Sequence, residues 1–230
     1  MSFVVLGASK GIGFALTKRL LDEGKKVCAG ILEDTPPEAM NTLSSVYGDK
    51  LLIGQADVTN ESQIKSFAEK SAEFLGEIEG LCTVAGVIMP GDRTTPLYEV
   101  DVSELRTTFE VNVFGPIIAG KHFYTYMKKG GRILTITSES VGVRMAWAGI
   151  PCYALSKCAA TKSTGIFNAY ISDVDFYAVH PGRVWTDMNQ SSGEIQPDES
   201  AAGLYAIMAG LTPVSRDNWY IDYKGNPMEM

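Results

Sequence analysis

Histidine is scarce in this chain and cysteine nearly so. His122 and His180 are the only histidines, and Cys28, Cys82, Cys152 and Cys158 form no CxxC pair. Metal centres built from thiolate and imidazole need such ligands at short spacing, so no zinc site is expected and the thiols read as free and buried. A basic excess is missing too: 20 Lys and Arg stand against 27 Asp and Glu, a net charge of -7. Binding to a phosphate backbone needs a positive footprint, so no nucleic-acid partner is expected. No apolar run approaches a membrane span, and Met1-Ser2-Phe3-Val4-Val5-Leu6 is short and lacks a basic leader. The expectation is a cytoplasmic chain without a membrane partner. Without repeats, low-complexity tracts or linkers, residues 1–230 are expected to form a single domain.

Glycine is the one type in surplus, with 23 residues, and its placement matters more than its number. Short apolar runs alternate with amphipathic stretches, which predicts parallel strands joined by crossover helices, a sheet of about seven strands covered on both faces. Strands are predicted at Phe3 to Leu6, Val27 to Leu32, Leu51 to Gly54, Leu81 to Ala85, Arg132 to Thr137, Phe176 to Val179 and Trp219 to Tyr223. Helices are predicted from Gly11 to Glu23, Pro36 to Tyr47, Asn60 to Leu75, Pro151 to Tyr170 and Pro197 to Gly210. One long helix is predicted from a Ser103 cap to Lys128-Lys129, cations that suit a helix C-terminus.

Directly after the first strand comes Gly7-Ala8-Ser9-Lys10-Gly11-Ile12-Gly13. A glycine-rich turn that opens a helix presents backbone N–H groups and the positive end of the helix dipole to a pyrophosphate. A second pattern is Tyr153-Ala154-Leu155-Ser156-Lys157, where the i,i+4 spacing places ammonium and phenol on one helix face. A free phenol titrates near ~10, and a neighbouring cation is expected to lower that value and fit the hydroxyl for proton exchange.

Glycine turn, Ser138 after the fifth strand, Tyr-x-x-x-Lys and His180-Pro181-Gly182-Arg183-Val184-Trp185-Thr186, in that order, resemble the short-chain dehydrogenase/reductase family. The resemblance spans nearly the whole chain and implies a Rossmann-type doubly wound sheet. Its last third looks most like the carbonyl-reductase branch related to C-factor and sniffer proteins. By resemblance, Gly7, Ser9, Lys10, Gly11, Ile12 and Gly13 hold cofactor phosphates, Asp57-Val58 contact adenine, and Ala85-Gly86 form half of an Asn-Asn-Ala-Gly signature. Asn112 matches the asparagine that supports the lysine through a water chain. Ser138 is implied to hydrogen-bond the substrate oxygen, Tyr153 to transfer its proton, and Lys157 to hold the nicotinamide ribose. Pro181, Gly182, Val184 and Thr186 border the carboxamide.

Departures are visible. Leu6 replaces the usual threonine, Thr83-Val84 replace two asparagines, and the stretch from Lys157 to Pro181 is short for the family. Ser138 fits the strand register, whereas Ser140 has the more usual interval to Tyr153, so either is open as the catalytic serine. Ile31 and Leu32 occupy the second strand's end, where an acid would select NAD(H). With Lys10 in the turn this favours NADP(H), against Glu33 and Asp34. Met145, Trp147, Trp185 and Met188 suggest a small apolar or aromatic carbonyl or alcohol substrate. His180 reads as a satisfied strand-end histidine. Apolar residues Ile117, Ile118, Phe123, Ile166 and Phe167 suggest a homodimer or homotetramer. The expected activity is reduction of an aldehyde or ketone, or the reverse. A silent dinucleotide-binding sensor, or an epimerase or dehydratase on the same scaffold, is the rival reading.

Overall fold

The computed structural model describes residues 1–142 and 149–230. Seven parallel strands, β1 (Ser2–Leu6), β2 (Lys26–Ile31), β3 (Leu51–Gln55), β4 (Ile78–Thr83), β5 (Met127–Ile136), β6 (Asp175–His180) and β7 (Tyr220–Asp222), form one sheet in the order 3-2-1-4-5-6-7. Because the order reverses between β1 and β4, their carboxyl ends diverge into a crevice, the place where doubly wound sheets bind ligands.

Helices α1 (Gly11–Asp22), α2 (Glu38–Tyr47) and α7 (Pro197–Met208) pack one apolar layer, with Leu16, Leu20, Met40, Leu204 and Ile207 on Phe3, Val5 and Tyr177. On the other face, α3 (Glu61–Leu75), α5 (Gly115–Phe123) and α6 (Pro151–Tyr170) cover Val4, Leu6, Leu81 and Ile133. Burial on both faces explains why the strands read as continuous apolar runs rather than alternating ones.

The long helix ending at Lys128-Lys129 is not what forms. Asp101, rather than Ser103, caps α4 (Val102–Phe109), its carboxylate accepting the Ser103 N–H at 2.8 Å. The chain then widens into a π turn over Glu110–Phe114 before α5, whose second residue is Pro116. Proline offers no N–H and its ring crowds the preceding turn, and a π turn is one way to accommodate such a break. Lys128 and Lys129 lie in β5, which starts five residues earlier than expected and pairs Met127 with Ile78. The fourth strand ends at Thr83, short of the expected Ala85: the Val84 and Ala85 N–H groups instead both donate to the Leu6 carbonyl, at 2.8 and 3.1 Å.

The apolar surplus invoked for assembly is mostly core. Phe123 is fully buried, Ile118 and Phe167 pack into the second layer, and Phe167 stacks on Phe176 with ring centroids 5.1 Å apart. Of the five residues, Ile166 is the one exposed. Among the described residues, no helix is long and apolar enough to cross a membrane.

Candidate active site

A cleft of about 1390 Å³ opens over the carboxyl ends of β1 to β6. Drug-sized ligands occupy pockets of about 300–1,000 Å³, so this one has room for a dinucleotide and a second small molecule together. Its walls are the segments that follow each strand: the glycine turn after β1, Leu32 and Glu33 after β2, and Asp57 and Val58 after β3. Val84 to Ile88 follow β4, Thr137 to Ser140 follow β5, and Pro181 to Val184 together with Thr186 follow β6.

The glycine turn is shaped by close approach. Gly7 has φ +84°, and a Cβ there would stand 2.6 Å from the Ala85 nitrogen. Gly13 lies in the first turn of α1, where a Cβ would fall 2.0 Å from the Gly7 carbonyl oxygen. Backbone thus meets backbone at the helix N-terminus, and α1 uses no side chain to cap its first N–H groups. Those groups are left for an anion. Gly7, Ser9, Lys10, Gly11 and Ile12 line the cleft; Gly13 does not, and it serves the packing of helix against turn. The Thr186 methyl lies 3.6 Å from where a Gly11 Cβ would be, which brings the loop after β6 against the glycine turn.

Ser138, Tyr153 and Lys157 meet in the wall of the same cleft. Lys157 is 3% exposed and donates to the Ile136 carbonyl at 2.8 Å. Its Nζ lies 5.5 Å from the Tyr153 ring centroid, over the face of the ring. Burial pushes the ammonium down to about 8. The expected lowering of the phenol does not occur. Burial pushes Tyr153 up to about 12, while the Ser138 hydroxyl beside it and the Arg93 charge pull weakly the other way. Sequence spacing put ammonium and phenol together correctly, but desolvation sets the sign of the phenol shift, and what opposes it is Ser138 and Arg93 rather than Lys157.

The two candidate serines touch: Ser138 Oγ and Ser140 Oγ are 2.9 Å apart, and Ser138 Oγ accepts the Ser140 N–H at 3.2 Å. Both line the cleft, and Ser138 is the one that acts on the Tyr153 hydroxyl.

Asn112 is fully buried outside the cleft lining. Its Oδ1 accepts the Val87 N–H at 2.8 Å, and its Nδ2 donates to the Val87 carbonyl at 2.9 Å and to Ser156 Oγ at 3.0 Å. Asp57 lines the cleft, with Oδ1 accepting from both the Thr59 N–H and hydroxyl. Ala85, Gly86, Pro181, Gly182 and Val184 are all in the wall.

Other assignments shift. Ile31 is 1% exposed and points into the core, so Leu32 and Glu33, rather than Ile31, face the cleft after β2. His180 is not satisfied: its Nδ1 is buried without a hydrogen-bond partner among the described residues, and burial pushes the imidazole below its usual value. Met188 lines the cleft, whereas Trp185 is 48% exposed and outside it. Met145 and Trp147 lie outside the described residues. Cys152 is buried and its thiol is pushed up to about 11, which leaves it unreactive. Val87, Ile88, Thr137 and Ile150 also line the cleft and were not singled out from sequence. Their only signal is that most of them follow a strand end.

Residues 2–197 match the model of the short chain dehydrogenase family. The chain belongs to that family. It is an oxidoreductase. A 1-deoxy-11-beta-hydroxypentalenate dehydrogenase of Streptomyces avermitilis is 30% identical over 210 residues, covering 90% of this chain and 76% of that protein. Among solved structures, a carbonyl reductase of Pseudomonas aeruginosa in complex with NADP has a TM-score of 0.82 at 24% identity, each chain covered completely. The carbonyl reductase Sniffer of D. melanogaster has a TM-score of 0.87 at 18% identity, covering 100% of this chain and 99% of that one.

Proposed function

We propose that this oxidoreductase is an NADP(H)-dependent carbonyl reductase that takes a small apolar or aromatic aldehyde or ketone. The observation that carries the reading is the meeting of Ser138, Tyr153 and Lys157 in the wall of a cleft that a glycine-lined helix N-terminus also borders. Ile88, Ile150 and Met188 add apolar surface to the cleft wall. Two carbonyl reductases share the fold, one of them solved with NADP, which agrees with this assignment.

The bound dinucleotide would supply the hydride; the remaining roles belong to the chain. Gly7, Ser9, Gly11 and Ile12 hold its phosphates, Asp57 and Val58 flank the adenine, and Val184 and Thr186 close over the carboxamide. Ser138 donates a hydrogen bond to the substrate carbonyl oxygen and Tyr153 delivers the proton to it. A phenol held near 12 is fully protonated at neutral pH, the form an acid in carbonyl reduction needs. The test is a screen of NADPH oxidation across aldehydes, ketones and quinones, run beside Tyr153→Phe; no turnover with any carbonyl, together with tight retained dinucleotide, would favour the epimerase or dehydratase reading instead.

Cofactor choice rests on two opposed charges in the wall. Lys10 attracts the extra phosphate of NADP(H), and Glu33, just past β2, repels it. Lys10→Ala is expected to weaken NADPH binding about tenfold, near 1.4 kcal/mol, with NADH affinity little changed. Glu33→Gln should move NADPH affinity the opposite way. Paired fluorescence titrations with both dinucleotides check this, and equal losses for NADH and NADPH in Lys10→Ala would remove the assignment.

Lys157 makes binding pH-dependent, and the sign follows from its depressed value. The folded protein keeps this ammonium charged below about 8 and loses it above, whereas an exposed lysine stays charged to about 10.5. A neutral Lys157 loses its charge-assisted hydrogen bonds to the ribose hydroxyls, so dinucleotide affinity is expected to fall as pH rises through about 8. By linkage, binding above that pH takes up a proton, which calorimetry in buffers of different ionisation heat reads directly. Lys157→Met should abolish the uptake.

A further inference from the structure

The chain gives helix α6 no local cap. The residue before it, Ile150, has no side-chain acceptor, so the first N–H groups of the helix that holds Tyr153 and Lys157 need a partner from elsewhere. They find Asp92, distant in sequence on a turn in the loop after β4. The Asp92 carboxylate is 1% exposed; Oδ1 accepts the Cys152 N–H at 2.7 Å and Oδ2 accepts the Tyr153 N–H at 2.8 Å. The bond to the Tyr153 backbone fixes the residue proposed to move the proton.

We propose that Asp92 is a positioning residue for the reaction, setting Tyr153 against Ser138 through the backbone of α6, an inference that rests on the role of Tyr153 proposed above. The same loop is anchored at a second point. Val87, five residues earlier, is held by the Asn112 amide in both directions, and Asn112 also donates to Ser156, whose hydroxyl in turn donates to the Tyr153 carbonyl at 2.7 Å. Arg93, next to Asp92, donates to the Met188 carbonyl on the opposite wall. The segment from Val87 to Arg93 is therefore a strap. It grips Tyr153 from its N–H side through Asp92 and from its carbonyl side through Ser156 and Asn112, and its end touches the substrate wall. A buried carboxylate at a helix N-terminus is favoured by the helix dipole as well as by its two hydrogen bonds, so its worth is larger than that of an exposed cap.

Placement errors near one ångström reduce rates by about 100-fold. Asp92→Ala is accordingly expected to lower kcat about 10- to 100-fold while the NADPH Kd, to which the glycine turn contributes and in which Lys157 keeps its own hold on the Ile136 carbonyl, stays within about twofold. Asp92→Asn keeps the shape and one acceptor oxygen and should recover part of the loss. The readout that a merely structural cap would not move is the solvent deuterium isotope effect on kcat, which should rise in both variants as proton transfer from a misplaced Tyr153 becomes limiting. The assay follows NADPH oxidation with para-nitrobenzaldehyde or the most active carbonyl of the screen, with Tyr153→Phe alongside. Asp92→Asn decides the matter if Asp92→Ala does not fold. Unchanged kcat and isotope effect in Asp92→Asn beside an inactive Tyr153→Phe overturns the role of Asp92 alone. Retained turnover in Tyr153→Phe overturns the reading of the site on which it rests, and with it this proposal. A fall in kcat matched by an equal loss of NADPH binding also overturns it, because the damage then reaches the whole cleft.

Discussion

Tyr153→Phe is expected to keep the fold and the dinucleotide and to lose turnover by about 10²- to 10⁴-fold, the usual contribution of a positioned acid. In activation energy that is about 2.7–5.4 kcal/mol. The substitution removes one oxygen and leaves the ring beneath Lys157, whose own hydrogen bond goes to the Ile136 carbonyl rather than to the phenol. Ser138 retains Ser140 as a partner, so no buried hydroxyl is orphaned on that side. The NADPH Kd should therefore move less than about twofold while kcat falls, the signature of an interaction made in the transition state only. Stopped-flow hydride transfer and equilibrium fluorescence on the same preparation separate the two quantities. Turnover within threefold of the unaltered protein would end the proton-transfer role.

The elevated phenol gives the same prediction a direction. With Tyr153 near 12, its neutral form persists well above physiological pH, so the alkaline fall in reduction should follow Lys157 near 8 and not the phenol. Alcohol oxidation needs the phenolate and should climb with pH over the range in which reduction declines. Opposed pH dependences for the two directions, measured on one enzyme, follow from burial holding the phenol up while it holds the Lys157 ammonium down.

The glycine turn, the parallel sheet and the Tyr153–Lys157 pair were legible in the sequence because each depends on local order: a strand, a turn that only glycine allows, and a helical i,i+4 spacing. The sign of the phenol shift was not, because it depends on which atoms surround a hydroxyl after folding. Helix α4 was misread for a similar reason. Lys128 and Lys129 look like helix-end cations until the π turn before Pro116 and the early start of β5 are in view. Asp92 offered no signal at all, since its two partners lie 60 and 61 residues away and an isolated Pro-Gly-Asp reads as an ordinary turn. Ile31 failed because β2 is covered on both faces to its end: Ile31 is buried in the first apolar layer, and the residues that line the cleft are Leu32 and Glu33, past the strand.

Gly13→Ala is expected to damage fold and binding together. A methyl there would lie 2.0 Å from the Gly7 carbonyl oxygen and 2.9 Å from its carbon, backbone atoms that no rotamer change can clear. Either α1 withdraws from the turn or Gly7 shifts, and Gly7 already packs against the Ala85 backbone. Overpacking of this kind costs about 3 kcal/mol, which for a domain of this size lowers Tm by about 6–12 °C. Because the displaced N–H groups are those left uncapped at the start of α1, NADPH binding should weaken on the order of 100-fold, about 2.8 kcal/mol. Gly24→Ala is the matched control. Gly24, unlike the helical Gly13, has a left-handed backbone, φ +72°, and a Cβ there meets nothing within 4 Å, so its cost is conformational strain of about 1–2 kcal/mol with no change in dinucleotide affinity. Thermal melts and NADPH titrations of the pair distinguish a glycine kept for its backbone angle from one kept for what must pass beside it. Unaltered NADPH affinity in a folded Gly13→Ala would mean that the turn after β1 is not where the phosphates bind.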